Sequence, residues 1–215
     1  MRDLKYLLSK TELHSLNETH SDIPFLKRNT NIAIIDDEDF PELDSFRNSG
    51  FQVTQYHDIN SFDQLQSYPV IVCDIQGVGK NFGHSGEGAY IVQELKLQYP
   101  DKYIIVVSSK AASITISKMT DCADEKIIRG NNDALMAALN NGIQAVGSKV
   151  QRWKRLRNFL ITQKDMDLFE LWKLEQQFIN AMKNNSSNTF EKYVTKHSSD
   201  VAKGMLINFI SSLVF

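Results

Sequence analysis

Five short apolar runs punctuate the chain between Asn31 and Lys149, and the segments between them have helical spacing. The first run, Asn31-Ile-Ala-Ile-Ile35, ends in Asp36-Asp37-Glu38. Pro41 then suits the first turn of a helix through Ser49, and Gly50 suits its stop. The second run, Phe51-Gln-Val-Thr-Gln-Tyr56, alternates apolar and polar residues as a half-buried or edge strand does. A short helix is predicted after Asn60 or Ser61 as N-cap. The third run, Val70-Ile-Val-Cys73, is followed at once by Asp74. The fourth, Tyr103-Ile-Ile-Val-Val107, leads into Ser108-Ser109, and the fifth, Lys126-Ile-Ile128, into Arg129-Gly130. The first, third and fourth runs are continuously apolar, which is what parallel strands covered on both faces require. Ala89, Val92, Leu95 and Lys96 carry the helical spacing between the third and fourth runs. Strands separated by helix-length segments make βαβ units with right-handed crossovers. The pattern predicts a five-stranded doubly wound α/β domain over residues 31–148.

Past Gly142 the character changes. Residues 148–184 contain no glycine or proline and read as helix, with a break near Thr162-Gln-Lys-Asp165, which has the form of a capping box. Leu168, Leu171, Trp172, Phe178, Ile179 and Met182 recur at helical spacing, and residues 184–188 form a turn signal. A last helix is predicted from about Thr189 to the end, with Val194, Val201, Met205, Phe209 and Leu213 along one stripe. Residues 149–215 are therefore expected to form a C-terminal helical hairpin. Its apolar tail from Met205 must pack on the helix 163–184, on the sheet domain or on a second copy. A homodimer through 149–215 and folding back within one chain both answer that need. The first 30 residues form a separate extension with a helix from Leu4 to Leu16.

Composition narrows the function. Apolar residues make up 42% of the 215 and charged residues 23%, as in a globular protein with a proper core. The net charge of -2 argues against a generic nucleic-acid binder. The basic run Lys149-Val-Gln-Arg-Trp-Lys-Arg-Leu-Arg157 reads as a solvated helix face beside a buried Trp153. Cys73 and Cys122 lack metal-site spacing and read as small core residues. The amino terminus does not have the form of a signal peptide, and no apolar run is long enough to span a bilayer. A cytoplasmic protein without membrane contact is expected.

The informative residues stand at strand ends. In an open α/β sheet, sites form outside the carboxyl ends of the strands, where strand order reverses. With order 2-1-3-4-5, strands one and three are neighbours there, and Asp36, Asp37 and Asp74 converge in one crevice. Three like charges so close repel unless a cation joins them. A hard divalent ion with oxygen ligands fits, and Mg2+ is the physiological choice. Two of the carboxylates and a backbone carbonyl, that of Gln76, are the expected ligands. The third carboxylate is then free to attack a phosphoryl donor. Ser108 supplies a hydroxyl for a phosphoryl oxygen, and Arg129 a cation. The bland alternative is strand-end turn chemistry, in which Asp is common.

Ile34-Ile-Asp-Asp-Glu38, Val70-Ile-Val-Cys-Asp74, Ile104-Ile-Val-Val-Ser108 and Ala123-Asp-Glu-Lys-Ile-Ile-Arg129, in that order, resemble the receiver domain of two-component response regulators. Glu87-Gly-Ala-Tyr-Ile-Val-Gln-Glu-Leu95 resembles the start of that family's third helix. The resemblance covers about residues 31–148 and implies a flavodoxin-like parallel sheet of order 2-1-3-4-5. It implies that Asp36 and Asp37 bind Mg2+, that Asp74 accepts a phosphoryl group, and that Ser108 is the switch hydroxyl. A sensor histidine kinase or phosphotransfer protein is then the donor. An output protein is the receiver of the signal, reached through the helical tail. Such a protein is not a metabolic enzyme.

Two features depart from the family. Arg129-Gly130 stands where the family has lysine and then usually proline, and a planar guanidinium does not replace a compact ammonium freely. The stretch from Ile75 to Gly86 is longer than the family's loop and holds four glycines. It fails both the Walker and the dinucleotide patterns, so it reads as a flexible loop that covers the crevice, re-aims Gln76 or brings Lys80 or His84 near Asp74. The second functional class is therefore a pseudo-receiver scaffold, never phosphorylated, in which Arg129 pairs with Asp74 in place of the metal. A nucleotide hydrolase ranks below both, since no base or phosphate loop is evident.

Overall fold

The computed structural model describes Leu13, Leu16, residues 22–109 and residues 114–213. Apart from Leu13 and Leu16, the helix expected over Leu4 to Leu16 lies outside the described residues. The chain divides into two compact units, one of Ser21–Leu97 and Asp101–Gly147, the other built mainly on Ser148–Phe215.

In the first unit helix α1 (Ile23–Asn29) precedes strand β1 (Asn31–Ile35), α2 (Leu43–Asn48) and β2 (Gln52–Tyr56). A 3-10 turn (Phe62–Leu65) leads to β3 (Val70–Asp74), and another (Lys80–Phe82) to α3 (Gly88–Gln98). The chain continues through β4 (Tyr103–Ser108), α4 (Ile114–Thr120), β5 (Glu125–Ile128) and α5 (Asn132–Val146). All four pairings are parallel and the order is β2-β1-β3-β4-β5, the flavodoxin-like arrangement. Strand alternation sends Ile32, Ile34, Val70, Val72, Ile105 and Val107 into one core with Leu26 of α1, Phe46 of α2 and Leu135 and Leu139 of α5. Ala33, Ile35, Ile71, Cys73, Ile104 and Val106 fall on the opposite face and are equally buried. There the Cys73 Sγ lies 3.7 Å from the Gly88 carbonyl at the start of α3. Gly50, at φ +91°, ends the α2 segment where the sequence placed its stop.

Lys102 is a structural cation that the apolar pattern does not announce. It is 0% exposed, and its ammonium donates to the carbonyls of Leu65, Gln66 and Tyr68 at 2.8, 2.8 and 2.9 Å. Three donors meet three acceptors, so a buried charge closes the end of the first 3-10 turn.

The second unit holds α6 (Lys149–Lys164), α7 (Leu168–Asn184), α8 (Asn188–His197) and α9 (Asp200–Ser211). The break after α6 falls at Asp165, but Thr162 is not its cap: that hydroxyl donates to Asn158 within α6. The Asp167 carboxylate caps α7 by accepting from the Phe169 and Glu170 amides. The single last helix expected from Thr189 is two helices, because Ser198 and Ser199 are extended. Consecutive serines favour caps over helix interiors. Met205, Leu206, Phe209, Ile210 and Leu213 of the apolar tail pack into one cluster with Trp153, Leu171, Leu174 and Phe178. Trp153 stacks on Phe178 with centroids 5.0 Å apart. The basic run of α6 is not wholly solvated. Arg152 turns inward to the Ser212 hydroxyl, and Arg157 meets the buried Glu175 at 2.9 Å, where Trp153 Nε1 also donates at 3.0 Å.

Candidate functional site

Register brings the acids together. Ile35 pairs with Cys73 across β1 and β3, so Asp36 and Asp74 are the next opposed positions. Both share the strand parity of Ile32, Ile34, Val70 and Val72, and both therefore emerge on one side at the carboxyl end of the sheet. Carboxylate oxygens of Asp36, Asp37 and Asp74 all lie within 4.8 Å of one another. Asp36 is 1% exposed and Asp74 7%, while Asp37 is open to solvent. Asp36 accepts from the Glu38 amide at 3.1 Å, which fixes its carboxylate over the loop after β1.

Arg129 follows β5, two strands from β3, and its amide donates to the Ser108 carbonyl at 2.9 Å. The length of the side chain carries the guanidinium back to the acids. Its Nη2 lies 2.6 Å from Asp36 and 3.0 Å from Asp74. Burial pushes the Asp74 carboxyl above its usual value and the Asp36 charge adds to this, against Arg129 and the Ile75 amide, which favour the charged form. Burial opposes the Arg129 charge too, but the two carboxylates outweigh it and hold that group above its usual value. The neighbouring Cys73 thiol is pushed well up by burial, with Asp74, Asp58 and Asp36 adding, so it is a packing residue and no nucleophile.

Ser108 closes β4, one residue beyond the Val107 that pairs with Asp74. Gln76 is exposed in the loop after β3. That loop is tied down, contrary to the flexible segment expected from its glycines. Gly79 donates to Asp58 at 2.7 Å, Gly77 to Glu87 at 2.9 Å, and Asn81 to the Asn60 side chain at 2.7 Å. Phe82 stacks on Phe62 at 4.8 Å and His84 on Tyr90 at 4.4 Å. His84 therefore belongs to an aromatic wall. Lys80 reaches the acids, but at Asp37, with Nζ 3.8 Å from Oδ2. Gly77 packs directly against that same carboxylate, since a Cβ there would lie 2.0 Å from Asp37 Oδ2, and its φ is +81°.

Asp58 is the residue the sequence reading passed over. It follows β2 and its Oδ1 accepts from both the Ile59 and Gly79 amides at 2.7 Å. Its signal was the one already read for Asp36 and Asp74, an acid just past a strand end.

Three hard oxygen donors at this spacing suit a small divalent ion, while the guanidinium between two of them supplies a competing fixed charge. No family model and no curated relative matches the chain. Solved structures similar to it include a CheY-like receiver domain protein from Methanospirillum hungatei at 20% identity, covering 55% of this chain and 96% of that one, with a TM-score of 0.44. A response regulator from Thermotoga maritima is 16% identical over 56% of this chain and 99% of that one, with a TM-score of 0.44. One from Burkholderia pseudomallei, with a phosphorylated aspartic acid and a calcium ion, is 20% identical over 73% of this chain and 93% of that one, with a TM-score of 0.40.

Proposed function

We propose that the receiver-like unit accepts a phosphoryl group on Asp74 and passes the change to a protein partner through the helices of residues 149–215. The observation that carries this reading is the convergence of Asp36, Asp37 and Asp74 within 4.8 Å, with Arg129 beside them, at the carboxyl end of the sheet. The donor set fits Mg2+, which prefers oxygen ligands and keeps several waters. Asp36, Asp37, Asp74 and the carbonyl of Gln76 would hold it, and when bound it supplies neutralisation of the phosphoryl oxygens. The chain's own residues do the rest. A carboxylate oxygen of Asp74 forms a bond to phosphorus as the bond to the leaving group breaks, and the leaving group departs with that electron pair. Arg129 exchanges its contact with Asp74 for the new phosphoryl charge. Ser108 donates its hydroxyl to a phosphoryl oxygen, which biases the ends of β4 and β5 between two arrangements. The donor is a sensor histidine kinase or phosphotransfer protein. The chemistry is self-phosphorylation and its reversal, not metabolic turnover, and its place is the cytoplasm. Among the described residues no helix is long and apolar enough to cross a membrane.

Incubation with Mg2+ and acetyl phosphate tests this. The intact mass gains one phosphoryl group in the wild type and none in Asp74→Asn. An unchanged wild-type mass with acetyl phosphate and with phosphoramidate would reject the reading. A second reading is favoured by the 2.6 and 3.0 Å contacts of Arg129: a pseudo-receiver scaffold in which the guanidinium is the permanent counter-ion. Under it, Mg2+ gives no heat on titration and the mass stays constant.

A further inference from the structure

We infer that Lys80, delivered by the glycine-rich loop after β3, is a built-in competitor of the divalent ion at Asp37, so that this loop sets the ion affinity of the acid site. The inference rests on the phosphoacceptor reading of that site. Two observations carry it beyond the acids themselves. First, the loop is seated on Asp37: the Gly77 backbone lies where no side chain fits, against the Asp37 carboxylate. Second, Lys80 opens the 3-10 turn between two anchors, Gly79 on Asp58 and Asn81 on Asn60, so its Cα is held where the ammonium reaches Asp37. Arg129 already serves Asp36 and Asp74. With Lys80 on Asp37, three carboxylates face two cations, and the cluster keeps a net charge near -1 before any ion arrives.

The two cations are not equivalent. Arg129 is 28% exposed and doubly bonded, whereas the Lys80 side chain is 64% exposed and makes one longer contact. An arriving divalent ion displaces the weaker partner, so Lys80 moves into solvent and Arg129 stays. Exposed pairs of this kind correspond to roughly a two- to five-fold change in an equilibrium constant.

Isothermal titration with Mg2+ at low ionic strength, checked by Mn2+ electron paramagnetic resonance, tests this on the full chain. Lys80→Gln should bind Mg2+ about two- to five-fold more tightly than the wild type, and Lys80→Arg should match the wild type. Added KCl should narrow the gap, because an exposed pair is screened. The substitution is at an exposed side chain, so an unchanged circular dichroism spectrum accompanies it. Binding in the wild type with no gain in Lys80→Gln, or with a loss, overturns the inference and leaves the phosphoacceptor reading standing. No Mg2+ binding in any of the three proteins overturns both.

Discussion

Replacing Arg129 by methionine removes the cation between two buried carboxylates while keeping much of the stem. Asp36 and Asp74 then face each other with oxygens within 4.8 Å, where two unit charges at an effective dielectric of about 20 repel by about 3–4 kcal/mol. The fold either bears that repulsion or protonates Asp74. Protonation sets a ceiling: for a carboxyl of ordinary value 3.8 it costs about 4 kcal/mol at pH 7 and about 1.6 kcal/mol at pH 5. Removing one partner of a buried pair costs about 3–5 kcal/mol, and the partial exposure of Arg129 places this case at the lower end. The expected loss is about 3 kcal/mol at pH 7, falling below about 1.6 kcal/mol at pH 5.

The sign follows from Asp74. Its carboxyl is already raised in the fold by burial, and Arg129 is the group that opposes the shift, so the variant raises it further. A carboxyl raised on folding binds extra protons in the native state, and stability is lost as pH rises from the unfolded value through the folded one. The variant therefore falls further below the wild type at neutral pH than in mild acid. Denaturant-dependent hydrogen exchange of peptides covering β1 and β3, corrected for intrinsic rate at pH 5, 6 and 7, measures the difference. A loss equal at pH 5 and pH 7, or under about 0.5 kcal/mol at pH 7, would refute the electrostatic account.

Asp74→Asn should be more stable than the wild type at pH 7, since the charged carboxyl is net penalised in the fold, and the gain should vanish in urea melts below the ordinary value of 3.8. Lys102→Met should lose about 3 kcal/mol or more by thermal denaturation, because it leaves three inward carbonyls without the ammonium that serves them. Gly77→Ala should weaken Mg2+ binding by isothermal titration, because the added Cβ overlaps the Asp37 carboxylate and pushes that ligand out of place, an effect larger than the few-fold gain from releasing Lys80; an unchanged affinity would show the loop to be independent of the acids. Glu175→Leu should shift the tryptophan emission and lower the stability of the helical unit by about 3 kcal/mol, because Trp153 and Arg157 both meet that carboxylate.

The sheet was legible because its strands obey one rule each. Buried parallel strands are apolar throughout, and Asn31–Ile35, Val70–Asp74 and Tyr103–Ser108 read that way almost to the residue. The acids were legible because a charge directly after such a run has no other place than the strand end. What the pattern carried only in part was reach. The pairing of Arg129 with Asp74 was one reading of the sequence, but the shorter contact with Asp36 on β1 was not, and the length of the side chain makes both. Lys102 and Glu175 have polar names and core positions, because their partners are backbone carbonyls in one case and an indole and a guanidinium in the other. The serine pair at 198–199 was hidden in a helical stripe whose apolar spacing continues on both sides of the break.

The glycine-rich loop shows why composition misleads about order. Glycine loosens an unfolded segment, but Gly77 and Gly79 sit at positive φ, and that is what lets alternate amides turn toward Glu87 and Asp58. The same freedom that reads as flexibility in a sequence is spent here on a fixed path around Asp37. A path so fixed also fixes Lys80. The loop's Lys80 and Arg129 then share one physical meaning: each places a cation on the acid cluster from outside the strands that carry the acids. Charge compensation from two separate elements allows the three carboxylates to fold together without an ion, and it makes ion binding an exchange of partners in place of a simple capture.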